Sequence, residues 1–165
     1  MHHQIFLRPL LASDLDAFLV WATDDEVTAY LTWKAYTSAQ EALAFLQNVA
    51  EKHPWFKAIC LDNAPIGSIT LTKQLFRDEE VAEIGYAIAK QYWGRGYTTQ
   101  AVKKALETGF KDLGISTIIS YVDQTHKASQ KVLENSGFIF KELLPNYQEL
   151  NGETTDRLLY VIHST

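Results

Sequence analysis

Cysteine is nearly absent from this 165-residue chain, with Cys60 standing alone. No disulfide can form within one molecule, and a reducing, cytoplasmic setting is the expectation. Cys60 lies in an apolar run, residues 58–61, where it reads as a small buried hydrophobe rather than a nucleophile. No His/Cys/Asp spacing fits a metal site, and His53, just before Pro54, reads as a surface-loop residue. No apolar run approaches the roughly 18 residues of a membrane span. Asp14 and Asp16 interrupt any secretion-type segment near the start, so neither export nor membrane insertion is expected. Basic charge is also short: 15 Lys and Arg face 20 Asp and Glu, a net charge of −5. The basic stripe of a nucleic-acid binder is missing. The acidic balance mildly favours a cationic or amine partner. Repeats, low-complexity tracts and Pro/Gly/Ser linkers are absent too. Length and an apolar content of 47% therefore point to one domain over residues 1–165 with a real core.

What is present has clear punctuation. Residues 5–8 read as a short strand stopped by Pro9, and Ser13 as the cap of a helix whose apolar face is Leu15, Phe18, Leu19 and Ala22. Ser38 with Glu41 three residues on is a capping box; it opens a helix with Ala42, Phe45, Leu46 and Val49 on one side. Residues 55–61 and 66–72 form a predicted hairpin around the turn 62–65. A charged connection, 77–80, leads into a strand over 81–88. Tyr97, Ala101, Val102, Ala105, Leu106, Phe110 and Leu113 follow helical spacing, with lysines and Glu107 opposite; Gly114 stops that helix. Residues 115–122 form a β-branched strand, 127–135 a shorter helix ending near Gly137, and 138–144 and 155–162 two last strands about the turn Asn151-Gly152. The order β-α-α-β-β-β-α-β-α-β-β argues for an α/β layer with a mixed sheet.

The loop Trp93-Gly94-Arg95-Gly96-Tyr97-Thr98-Thr99 sits between a predicted strand and the best-defined helix. Unpaired N–H groups and the dipole at a helix start favour negative charge. Gly94 and Gly96 let a phosphate approach the main chain with no Cβ in the way, Thr98 and Thr99 add hydroxyls, and Arg95 adds charge or simply faces solvent. The triphosphate loop's Gly-Lys-Ser/Thr is missing. The dinucleotide fingerprint fails because position 99 is Thr and the loop follows the fourth strand rather than the first. A nucleotide-dependent oxidoreductase is thereby disfavoured.

Residues 82–101, AEIGYAIAKQYWGRGYTTQA, resemble the acetyl-CoA signature of the GNAT N-acetyltransferase family, in the branch of the Rim-type ribosomal-protein N-terminal acetyltransferases. A second stretch, residues 128–138, ASQKVLENSGF, lies at the family's distance, and Leu7-Arg8-Pro9-Leu10 and residues 156–160 are similar to that branch as well. The resemblance implies a mixed, mostly antiparallel sheet of about seven strands, splayed between the fourth and fifth and flanked by four helices. It implies acetyl-CoA as cosubstrate, no metal, and direct attack of a primary amine, from a peptide N-terminus or a small molecule, on the thioester. The alternative is an acyl-CoA-binding protein of the same fold with little or no transfer. Neither nucleic acid nor membrane is an implied partner, and the state is monomer or homodimer.

By the same resemblance, backbone groups of Tyr86, Ala87 and Ile88 hold the pantetheine arm and residues 93–99 the pyrophosphate. His126 stands where the family often has Asn, and can still donate one hydrogen bond to the pantetheine. The family's tyrosine acid aligns with Leu133, which has no proton to give. Glu83, a carboxylate interrupting an apolar strand, is the first candidate base, or else a structural carboxylate. Ser129 is the candidate donor to the departing sulfur, or a first-turn residue serving local backbone. Tyr30, Trp33, Tyr36 and Trp55 are candidates for the acceptor side of the cleft or for core packing; Tyr147 and Glu149 in the late loop are lesser ones.

Overall fold

The computed structural model describes residues 4–31, 35–150 and 153–165, without the side chains of 147–150 and 153. Seven strands form one sheet in the order β1-β2-β3-β4-β5-β7-β6: β1 Ile5–Pro9, β2 Phe56–Leu61, β3 Ala64–Phe76, β4 Glu79–Ile88, β5 Thr117–Asp123, β6 Ile139–Leu150 and β7 Glu153–His163. Every pairing is antiparallel except β4 with β5. Among the described residues five α-helices accompany the sheet: α1 Leu15–Ala22, α2 Asp25–Thr28, α3 Ala39–Phe45, α4 Tyr97–Leu113 and α5 Lys127–Asn135. The sequence reading foresaw four; α2 is a single turn, capped by Asp24 accepting from the Glu26 N–H, and is too short to leave a periodic trace. No helix among the described residues is long and apolar enough to cross a membrane.

Helices cover both faces of the sheet, so two apolar layers form. On one face Tyr97, Ala101, Val102 and Ala105 of α4 pack on Ile69, Leu71, Ile84 and Ile88. Gly109 lets α4 ride close to the sheet, since a Cβ there would come within 2.3 Å of Leu71 Cδ1. On the other face Phe18, Trp21 and Ala22 of α1 meet Ala42 and Leu46 over Ala58 and Cys60. Cys60 is buried there, as its apolar run suggests.

The differences from the sequence reading have local causes. Ser13 does not cap α1. Residues Ala12–Asp14 form a separate 3-10 turn, and Asp14 instead takes the Leu11 N–H at 2.9 Å and both arms of Arg8 at 2.8 Å. The Arg8 contact holds the Asp14 carboxyl below its ordinary pKa. Ser38 does cap α3, its Oγ accepting the Glu41 N–H, but Val49 points to solvent. The chain widens to a π turn at Leu46–Ala50, which rotates Ala50 inward in its place. β3 begins at Ala64 and runs past Thr72 to Phe76, because the charged connection shrinks to Arg77 and Asp78. Both take left-handed backbone (φ 50° and 69°), the twist a tight hairpin needs. The turn at Asn151-Gly152 lies outside the described residues.

Candidate acetyl-CoA and acceptor cleft

β4 and β5 pair only at Ala82–Ile118 and Glu83–Ile119. Beyond them β4 stays on β3 to Ile88 while β5 follows β7 to Asp123, so the sheet opens between them. The Ala89 N–H donates to Ile66 O at 2.8 Å. Antiparallel alternation from that bond directs the backbone of Ala87 to β3 and the backbone of Tyr86 and Ile88 into the opening. The resemblance assigned all three to one role, but Ala87 is tied to its neighbour strand. The Ile88 carbonyl accepts the Trp93 indole N–H at 2.9 Å, which anchors the start of the glycine loop.

The opening continues into a cleft of about 660 Å³. At its far end Gly96 is the N-cap of α4 at φ 80°, with no side-chain cap on the helix. The first intrahelical bond is Gln100 N–H to Gly96 O, which leaves the N–H groups of Tyr97, Thr98 and Thr99 without helical partners. Gly94 also has positive φ, 75°, and a Cβ at either glycine would meet nothing within 4 Å. The loop is thus a concave row of main-chain donors facing open space, the arrangement a pyrophosphate needs. Gly94, Gly96, Tyr97, Thr98 and Thr99 line the cleft with Trp93; Arg95 is exposed and is not among the lining residues.

α5 supplies the opposite wall. Ser129 Oγ lies 2.7 Å from Tyr86 Oη, joining the helix to β4 across the cleft. Burial pushes the Tyr86 phenol up to about 12, against the opposing effect of the Ser129 bond. His126, the N-cap of α5, stacks on Tyr30 with centroids 4.0 Å apart and planes within 10°. Both rings line the cleft. Burial lowers the His126 pKa; Asp123 opposes and Arg157 reinforces that shift. Burial also works against the Asp123 carboxylate, but the Thr125 hydroxyl and amide, the Thr155 hydroxyl and Arg157 together hold it below its ordinary value.

Other candidates lie elsewhere. Glu83 sits on the last β4–β5 pair, and strand alternation turns it to the face away from Tyr86. Burial raises its pKa, with Arg157 and a Gln74 hydrogen bond opposing, and it is not among the cleft-lining residues. Trp55 is buried, its Nε1 donating to Asp112 at 3.1 Å, and Tyr36 packs with Phe18 and Phe45; both belong to core layers. Leu133 is fully buried in the core and is not among the cleft-lining residues. Trp33, and the side chains of Tyr147 and Glu149, lie outside the described residues. The sequence reading missed Glu26, Leu31, Tyr92, Lys131, Val132 and Asn135 on the cleft wall. For the last three the signal was available, since they recur at helical spacing with Ser129 and Ala128 on α5. Among the described residues no group of three His, Cys, Asp or Glu could hold a metal.

The profile of the acetyltransferase (GNAT) domain matches residues 4–139. The chain belongs to the GNAT family. It is accordingly an acetyl-CoA-dependent acyltransferase. A curated relative, the uncharacterized N-acetyltransferase YoaA of Bacillus subtilis, is 28% identical over 165 residues, covering 96% of this chain and 93% of its own. Among solved structures, the ribosomal alpha-N-protein acetyltransferase RimL in complex with coenzyme A superposes with TM-score 0.82 at 22% identity, over 96% of this chain and 93% of that one. The spermidine N-acetyltransferase of Vibrio cholerae, in complex with CoA and spermine, gives TM-score 0.82 at 20% identity, over 97% and 95%. This GNAT chain therefore shares its overall fold with both.

Proposed function

We propose that this protein transfers an acetyl group from acetyl-CoA to a primary amine, on a protein N-terminus or a small molecule, by direct attack on the thioester. One observation carries the reading. A single cleft runs from the uncapped start of α4, past the freed backbone of β4, to the Ser129–Tyr86 hydroxyl pair. That sequence of groups matches pyrophosphate, pantetheine arm and thioester in order. The α4 amides hold the phosphates, backbone groups of Tyr86 and Ile88 align the arm, and an N–H in the opening stabilises charge on the acetyl oxygen. The acceptor class follows the neighbours' names, one an alpha-N-protein and one a spermidine acetyltransferase.

At the sulfur, Ser129 donates its hydroxyl hydrogen to the departing thiolate. Tyr86 donates to the Ser129 oxygen and so leaves the serine's one O–H free to point into the cleft. This pair answers the observation that favours the alternative, a binder without efficient transfer: Leu133, at the family's tyrosine position, is sealed in the core.

Thiol release from acetyl-CoA, measured over a panel of peptide N-termini and polyamines, tests the proposal. Acceptor-dependent release supports it. Tight acetyl-CoA binding with release at background for every amine supports the binder.

A further inference from the structure

We infer that His126 is the base that takes the proton from the attacking amine. The inference rests on the acetyl-transfer reading and adds to it the residue on which the proton lands. Three features of the cleft converge on this side chain. His126 occupies the N-cap of α5 and Ser129 the third position of that helix, so both present to the same stretch of the cleft. Ser129 in turn touches Tyr86, so the imidazole stands beside the group proposed to meet the sulfur. The ring stacks on Tyr30, and the residue is anchored by its main-chain N–H, which donates to the Asp123 carbonyl at 3.0 Å. Among the described residues neither ring nitrogen has a hydrogen-bond partner, and the residue lines the cleft.

The remaining titratable groups on the cleft wall are poor acceptors. Glu26 is engaged by Lys90 at 2.7 Å, and the rest are tyrosine phenols and Lys131. Glu83 has the right chemistry but lies off the cleft. Burial disfavours the charged form of the His126 imidazole. The charged groups facing it pull in opposite directions: Asp123 at the end of β5 favours the imidazolium that forms, and Arg157 on β7 resists it. Tyr30 packs on it from the segment after α2 and contributes no formal charge in its phenol form.

The step balances without a further reactant. The amine nitrogen bonds to the acetyl carbon, the carbon–sulfur bond breaks, and its electron pair leaves on sulfur. The nitrogen's proton passes to the imidazole and then to solvent. The thiolate takes a proton through Ser129, so the products are an amide and a free thiol.

The pH profile of kcat/KM for wild type, His126→Asn and Glu83→Gln, with a responsive amine, tests the inference. Asparagine keeps a donor of similar reach, so acetyl-CoA KM should stay within about twofold. Removal of a general base costs on the order of 100-fold in kcat. Wild type and Glu83→Gln should share an acid limb lying below the ordinary imidazole range, and His126→Asn should lack it. Added imidazole should restore part of the turnover of His126→Gly, which a merely structural role would not allow. His126→Asn within about threefold of wild type with the limb intact would overturn the inference and leave acetyl transfer standing. A wild-type protein that binds acetyl-CoA but acetylates no amine would overturn both. If the His126 variants do not fold, the wild-type profile decides: no acid limb below the imidazole range, or a limb that vanishes in Glu83→Gln, overturns the assignment.

Discussion

At the glycine loop the cleft is walled by main chain, whereas at the end of β5 it is walled by side chains. The first wall consists of the N–H groups of Tyr97, Thr98 and Thr99 behind two glycines with left-handed backbone, continued by the freed backbone of Tyr86 and Ile88. The second consists of the Tyr30–His126 stack and the Ser129 hydroxyl. A main-chain site tolerates changes of side-chain identity as long as no Cβ intrudes. Trp93 and Thr98 line this wall beside the glycines. A side-chain site changes its chemistry with one substitution. On the proposed reading, the donor half of the reaction resides in the backbone and the acid–base half in a few replaceable groups.

The comparison can be broken first at Gly96. The Cβ of a valine there would meet nothing in the protein within 4 Å, yet the side chain would stand where the phosphates are proposed to lie. Losing two charge-assisted bonds of about 1.5 kcal/mol each predicts about a 100-fold weaker acetyl-CoA affinity by calorimetry, with a modest fall in melting temperature from the positive φ. Affinity within about threefold of wild type would show that the main-chain wall does not hold the donor. On the other wall, Ser129→Ala should lower kcat about 10- to 100-fold, the worth of one hydrogen bond to a charged group, while leaving acetyl-CoA KM nearly unchanged. Tyr86→Phe should give a smaller loss in the same parameter.

Leu133→Tyr sharpens the contrast through stability rather than rate. The site is fully buried, so the ring that the family carries there has no room, and overpacking should cost about 1–3 kcal/mol in a denaturant melt. A stable variant with higher kcat would show that the position can open to the cleft.

Glu83→Gln should have the smallest effect on turnover, under about threefold. Its signature is in stability. Burial raises the folded-state pKa of Glu83, so its contribution is fully present below the unfolded-state pKa and is lost as pH rises through the folded one. The melting temperature of Glu83→Gln relative to wild type should therefore rise from acid toward neutral pH. A flat difference would place the carboxylate in contact with solvent.

Most of the fold was legible because its signals are local. The spacing of Ala101, Val102 and Ala105, the glycines at 96 and 114, and the Ser38 cap each act within a few residues. The misses were places where a distant partner overrode a local preference. Ser13 lost its expected capping place to a 3-10 turn pinned by the Asp14–Arg8 pair, and Val49 yielded its inward place to Ala50 when the helix widened. Of the site, the glycine loop and Ser129 could be read in order along the chain. The stack of Tyr30 on His126 joins residues 96 positions apart and carries no pattern.

The sequence by itself determined a strand, an uncapped glycine turn and a helix start, and with them a row of main-chain donors, because backbone geometry is dictated by neighbours along the chain. Only the tertiary structure decided which carboxylate or imidazole lines the cleft. It turned Glu83 to the opposite side of the sheet, sealed Leu133 and Trp55 in the core, and set His126 on the cleft wall. Side-chain direction across a sheet and the packing of α5 against β4 depend on contacts between elements far apart in sequence, and burial, the main influence on the Glu83, Tyr86 and His126 pKa values, exists only once those contacts form.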